Sequence, residues 1–266
     1  LPQGESNQPI HLEIFDSQGT LVNEFSSIKE VNYSSYEGGP SRKKTLMHRK
    51  GLNRFVWDLR HEGLPGSPKV YIEGSYSGRK AVPGTYTLKL TQGNQSLSTQ
   101  TEIIPNPVHR MSHEEYSAYD EFMSLGEANF IEMTRMTNAL YKNQKRLGQL
   151  LKRLNEEGYN ALYSKGKELL NEMKVWDAKM VQRLAKAYDD VENYENGFTA
   201  HYLTLLNQVD SDTPRLTQGA RSRVTVLNQQ WKELKKEGET FQKDKIPAFN
   251  AACFQYGMGV LSSSQP

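Results

Sequence analysis

Gly51-Leu52-Asn53-Arg54-Phe55-Val56-Trp57-Asp58-Leu59-Arg60 alternates with a period of two. Phe55, Trp57 and Leu59 fall on one face and Arg54, Val56, Asp58 and Arg60 on the other, which predicts a strand. Gly51 and Asn53 stand where a tight turn would lead into it. Trp57 is the largest apolar side chain of the N-terminal part, so a small β domain is expected to pack around it. Val82-Pro83-Gly84-Thr85-Tyr86-Thr87-Leu88-Lys89-Leu90 repeats the pattern. Here a Pro-Gly turn feeds a strand with Tyr86, Leu88 and Leu90 on one face. Asn53, Trp57, Asp58, Gly84 and Tyr86 are therefore read as structural residues.

Outward from these strands, residues 1–7 are polar and expected to fray. Ile10, Leu12 and Ile14 alternate with His11 and Glu13 in a first strand. Asp16-Ser17-Gln18-Gly19 is a turn, and residues 20–25 return as a hairpin partner. Residues 26–50 read as an irregular connection around Gly38-Gly39-Pro40. Their basic residues, Arg42 to Lys44 and Arg49-Lys50, read as a solvated loop. A short strand at Val70-Tyr71-Ile72 and a last strand at 97–104 complete six or seven strands. That count, with turns between them, predicts an antiparallel Ig-like β-sandwich over residues 1–106.

Pro105-Asn106-Pro107 ends the alternation, and residues 107–266 read as a helical bundle domain. Ser112-His113-Glu114-Glu115 is a capping box at the start of a long helix. Phe130, Met133, Leu140, Leu147, Leu151 and Leu154 follow a three–four spacing, with Thr137 and Gln144 in the same seam. Glu156-Glu157-Gly158 breaks the helix. A second carries Leu162, Leu169, Met173, Trp176, Met180 and Leu184. Phe198, Tyr202, Leu205, Leu206 and Val209 form one face of a shorter third. Thr213-Pro214 reads as the N-cap and first position of a fourth, through Leu216, Ala220, Val224, Leu227, Trp231, Leu234 and Phe241. Ile246-Pro247 is expected to interrupt it, with a final turn or short helix over residues 248–256. Such narrow seams suit three or four long antiparallel helices, and would equally allow a helical homodimer. The tail 262–266 is polar.

Totals narrow the function. With 33 basic and 31 acidic residues the net charge is +2, which gives no reason to expect a nucleic-acid or membrane-surface partner. No apolar run approaches the ~20 residues that span a bilayer. The single cysteine, Cys253, lies among apolar residues and reads as a buried, inert thiol. The chain starts at Leu1 without a signal peptide, as a mature form or a fragment would.

Chemistry is sparse. The 6 histidines include no helical pair at metal-ligand spacing, because His109 and His113 straddle the predicted helix start. Gly63-Leu64-Pro65-Gly66 lacks the lysine and helix of a phosphate loop, and there is no G-x-S-x-G elbow. Glu114-Glu115, Glu156-Glu157 and Asp189-Asp190 are adjacent acids at helix ends, without the cleft that glycosidase carboxylates need. No catalytic residue, metal ligand or cofactor is therefore assigned. Asp58 and Arg60 suggest an ion pair or cross-strand partners. Tyr71, Tyr76 and Tyr86 are the candidate binding residues, as a platform on which a sugar would stack, with Trp57 as a further stacking residue. Asn32-Tyr33-Ser34 and Asn94-Gln95-Ser96 are glycosylation sequons, relevant only in a secreting eukaryote.

The stretches Ile10 to Gly19, Gly51 to Arg60 (G-x-N-x-x-x-W-D) and Val82 to Tyr86 (P-G-x-Y) resemble the Ig-like domain of the flagellar hook-capping type. Followed by Pro105-Asn106-Pro107 and a long helical segment, they look like the C-terminal end of large secreted bacterial proteins. Those carry an N-terminal sortilin-like β-propeller with BNR (Asp-box) repeats and are often labelled glycosyl hydrolases. Ile246-Pro247-Ala248-Phe249-Asn250 is similar to that family's ending, and the resemblance spans residues 8–258. The family often has D-P-R where this chain has Asn106-Pro107-Val108-His109-Arg110. The resemblance implies an exported parent that is secreted, periplasmic or at the cell surface, with the propeller as partner. No Asp-box occurs in this chain, so the hydrolase label transfers no residue onto it. The leading expectation is a non-catalytic accessory module. Its rivals are a carbohydrate-binding module and a fragment lending acids to an active site in the propeller.

Overall fold

The structure is a computed structural model that describes residues 8–31, 33–211 and 213–257. The polar start at 1–7, Asn32 of the first sequon and the tail at 262–266 lie outside the described residues. Four strands form one antiparallel sheet: β1 (Ile10–Phe15), β2 (Leu21–Ser26), β3 (Gly84–Gln92) and β4 (Gln95–Ile103), in the order β2-β1-β3-β4. The β1–β2 turn works as its residues suggest. Asp16 Oδ1 accepts from the amides of Gln18 and Thr20 at 2.9 and 2.8 Å, and Gly19 takes φ 80°. Ile10, Ile14, Val22, Phe25 and Tyr86 are buried on one face of the sheet, together with Leu46 and Ala81.

The stretch 51–60 is not a strand. Residues 53–58 do alternate between half-buried and exposed, and Phe55 and Trp57 cover the sheet core. The period ends at Leu59, which takes φ 55° and is 44% exposed. A left-handed residue turns the chain off a ladder, since extended backbone requires negative φ. Apart from a one-residue bridge between Arg60 and Lys80, the segment makes no strand pairing. Val70-Tyr71-Ile72 is likewise no strand. Its amides bond singly to the carbonyls of Ser67, Ala185 and Gly38, which lie in three different places. The described sheet therefore has four strands, fewer than the alternation predicts. The other extended runs are held by side chains and isolated bonds.

Among the described residues five α-helices follow: α1 (His113–Glu156), α2 (Asn160–Met180), α3 (Phe198–Val209), α4 (Gln218–Thr240) and α5 (Ile246–Phe254). The Ser112 capping box forms, and Gly158 at φ 78° lets the chain turn back into α2. Every predicted seam residue of α1 and α3 is buried, and so are those of α2 through Met180. Leu184, expected in the same seam, lies outside it, because α2 stops at Met180 and Leu184 is 63% exposed. α4 is capped by Thr217, whose hydroxyl accepts from the Ala220 amide, and not by Thr213. Pro247 does not interrupt the chain of helices. One π-helical turn at Phe241–Lys245 carries α4 into α5, with the Ile246 amide bonding back to Phe241. Widening the turn there accommodates a proline that cannot donate to the preceding turn. The helical seams close on one another within the chain. Leu64, Val70, Ile72 and Tyr76, from before β3, are buried in the same cluster. Residues 64–81 thus run from the helical core to Ala81 in the sheet core, and Val82 packs back on the helical side.

A candidate functional site at the junction of sheet and helices

The most elaborate polar cluster gathers around residues 60–80, where the chain leaves the sheet and crosses the helices. Gly78 packs so closely on the carbonyls of His61 and Glu62 that a Cβ would overlap them, so this approach requires glycine. That contact presents Arg79 and Lys80 to α1 and α3. Arg79 forks between two acids of α1. Its Nε donates to Asp120 at 2.7 Å and its Nη1 to Glu127 at 2.7 Å, while its main-chain amide donates to the other Glu127 oxygen at 2.6 Å. Glu127 falls between Met123 and Phe130 on the buried stripe of α1 and is 6% exposed. Burial raises its carboxyl above the usual range, and Arg79 opposes that shift. For Arg79 burial works downward, but its two carboxylate partners outweigh it and raise it further.

Asp210 forms the second half of the cluster at the C-terminus of α3. A carboxylate there faces the negative end of the helix and needs cations. Arg60 Nη1 supplies one at 2.5 Å, and Lys80 Nζ bonds the carbonyls of Asp210 and Ser211. Tyr119, fully buried on α1, donates its hydroxyl to Asp210 at 2.5 Å and accepts from the Lys80 amide at 3.0 Å. Burial and the adjacent Asp210 charge raise its phenol strongly. Burial first, then the Arg79 guanidinium, holds the half-buried His61 imidazole down to about 4. Two amides complete the fastening: Asn138 donates to the Gly66 carbonyl at 3.1 Å, and Asn207 exchanges two bonds with the Ser75 main chain.

The three candidate tyrosines are not a platform. Tyr71, Tyr76 and Tyr86 are 8%, 6% and 4% exposed and belong to different places. Tyr76 lies edge-on to Phe130 in the helical core, and Tyr86 lies edge-on to Trp57 in the sheet core. Tyr86 donates to the Val82 carbonyl at 2.7 Å, and burial pushes its phenol up to about 12. Rings this deeply buried offer no open face on which a sugar could stack. Trp57 is half-buried, with its Nε1 bonded to the Arg60 carbonyl. Asn53 closes the turn before it through the Arg49 main chain, and Gly84 opens β3 opposite Ile103. Asp58 and Arg60 go to separate partners, Asp58 to Lys44 at 3.1 Å and Arg60 to Asp210.

Elsewhere a groove of about 350 Å³ lies between α2 and the π-helical turn over Trp176 and Phe241. It is bridged by Lys179–Glu237 and Glu172–Lys245, whose charges satisfy each other. Among the described residues no group of three or more His, Cys, Asp or Glu could hold a metal ion, and no helix is long and apolar enough to cross a membrane. Compared with known proteins, the chain matches no family model, no curated protein and no solved structure.

The junction escaped the sequence because its members are far apart in it: Arg60, Arg79, Lys80, Tyr119, Asp120, Glu127 and Asp210. One signal was available. Glu127 is a charged residue on the apolar stripe of α1, and so is Asp177 on α2, where Arg183 pairs with it at 2.5 Å. A charge on a buried stripe calls for a buried partner.

Proposed function

We propose that this chain is a non-catalytic accessory module from the C-terminal part of an exported bacterial β-propeller protein. In this reading an Ig-like β-sandwich and a helical bundle form one stiff arm. The four-stranded sheet is one layer of the sandwich, and the extended segments around Phe55 and Trp57 are the other. The propeller is the partner, and the resemblance of residues 8–258 is what points to it and to export.

The single observation carrying the non-catalytic reading is how the buried charges are used. Arg79, Glu127, Arg60 and Asp210 are spent on one another, each within 2.7 Å of its partner. Catalytic acids and bases have to meet a substrate. These groups instead lock residues 60–80 onto α1 and α3, the work of a rigid connector. The burial of Tyr71, Tyr76 and Tyr86 weighs against the carbohydrate-binding reading and leaves it only the half-buried Trp57 as a stacking residue.

The test is to purify the chain and assay it against glycoside and peptide substrates, then against the propeller supplied in trans. The expected result is no turnover with either substrate class and a saturable complex with the propeller. Turnover that survives repurification and is lost on substituting Glu127 or Asp210 would overturn the proposal.

A further inference from the structure

The two edges of the sheet are treated differently. At the β2 edge the chain covers itself. Leu46 donates to the Ser26 carbonyl at 2.9 Å, Glu62 donates to the Val22 carbonyl at 3.1 Å, and Asn23 reaches the Arg60 carbonyl. Among the described residues the β4 edge has no such cover. Among the described residues β4 pairs with β3 alone, and every residue of β4 but Ile103 is exposed.

The usual protections of a free edge are also missing from β4. Gln95-Ser96-Leu97-Ser98-Thr99-Gln100-Thr101-Glu102-Ile103 contains no proline, no lysine and one charge, Glu102. Its ladder with β3 runs unbroken from Gly84↔Ile103 to Gln92↔Gln95, so no bulge twists it away. The turn at Gly93-Asn94 has two residues, which makes Gln92↔Gln95 a bonded pair. Residues 95, 97, 99, 101 and 103 then bond inward to β3. The amides and carbonyls of Ser96, Ser98, Gln100 and Glu102 point outward along one line, with no strand partner among the described residues.

From this edge we infer that two copies of the chain associate through antiparallel β4–β4 pairing, giving a continuous eight-stranded sheet. The strand is complementary to itself. Pairing all nine residues places Thr99 on the two-fold axis against its own copy, Leu97 against Thr101 and Ser98 against Gln100. The outward groups of one copy meet those of the other in bonding phase, and both core faces lie on the same side. Glu102 faces Ser96, so no like charges oppose each other. Leu97, 75% exposed in the single chain, gains the partner's Thr101 methyl as neighbour. This pairing is independent of the accessory-module reading and of the propeller.

The experiment is sedimentation velocity on the full chain from about 1 to about 300 μM, the range in which small interfaces associate. It is paired with mild oxidation of a Thr99→Cys variant. The native chain is expected to shift from monomer to dimer with concentration. Ser98→Pro removes an outward amide without touching the β3 ladder, and should weaken the dimer at least about tenfold. Thr99→Cys should cross-link to dimer, and Gln95→Cys, at the far end of the strand, should not. Cys253 is fully buried and does not compete. The cysteine pair decides the matter even if Ser98→Pro fails to fold. A native chain that stays monomeric throughout overturns the inference and leaves the edge to a strand from another chain. So does equal cross-linking of the two cysteine variants.

Discussion

Replacing Arg79 with methionine keeps much of the side chain's bulk and removes the charge that Glu127 depends on. Glu127 would retain the Arg79 main-chain amide at 2.6 Å but lose the guanidinium at 2.7 Å, in a site where its side chain is 8% exposed. A buried carboxylate without its cation takes up a proton, and that limits the damage. Holding a carboxyl of ordinary pKa near 4.3 neutral costs about 3–4 kcal/mol at pH 7 and about 1 kcal/mol at pH 5, at ~1.4 kcal/mol for each pH unit. Burial already raises Glu127 in the native protein, so part of that cost is present before the substitution. The net loss should therefore be about 2–3 kcal/mol at pH 7, near the low end for a broken buried pair. The sign follows from the raised carboxyl. Its contribution favours the fold below the unfolded pKa and is lost as pH rises through the folded one, so the penalty of Arg79→Met shrinks toward pH 5. Urea unfolding of both proteins at pH 5, 6 and 7 measures it. Adding Glu127→Gln should restore most of the loss at pH 7 and little at pH 5. A penalty below about 1 kcal/mol at pH 7, or one independent of pH, would mean that the pair does not hold the junction.

Three further outcomes follow from the packing. His61 is held down to about 4 against about 6.5 unfolded, so its stabilisation is present above pH 6.5 and fades as pH falls toward 4. Discounted for partial exposure this is about 2 kcal/mol, and His61→Gln should flatten that part of a pH–stability curve. Gly238 lies against Met136 and Trp176, so Gly238→Ala should cost about 1–2 kcal/mol by thermal unfolding despite alanine's better helix propensity. Trp176 is 1% exposed, and its Nε1 donates to the Leu234 carbonyl at 2.9 Å. Trp176→Phe should lower stability by about 2 kcal/mol, from the lost indole hydrogen bond and the space left behind.

The helical half was the more legible part of the chain. The seam residues that its apolar spacing named in α1 and α3 are all buried, because a helix advances by a fixed angle per residue, though Tyr119, Met123, Met136 and Leu203 lie buried beside them unnamed. Boundaries were less so. Thr213-Pro214 has the chemistry of a helix start, but the cap that forms is Thr217, one turn later. In the sheet half, alternation at 53–58 correctly named Phe55 and Trp57 as the inward residues. It could not show that Leu59 turns left-handed or that no neighbouring strand comes into register, because pairing is a long-range property. The tyrosines misled for a related reason. An aromatic residue at a strand-like position looks the same in sequence whether its outer face meets water or another layer. Tyr76 meets Phe130 of α1, more than fifty positions away.

The central claim is that residues 60–82 weld sheet and helices into one stiff unit. Native-state hydrogen exchange across a low-denaturant series, read by mass spectrometry on the native chain and on Arg79→Met, tests it most directly. The account predicts that amides of β3 and of the middle of α1 merge into one isotherm, with the same free energy and denaturant slope, in the native chain. In Arg79→Met the β3 amides should split off at lower free energy. Separate isotherms in the native protein, with β3 opening well below α1, would contradict it.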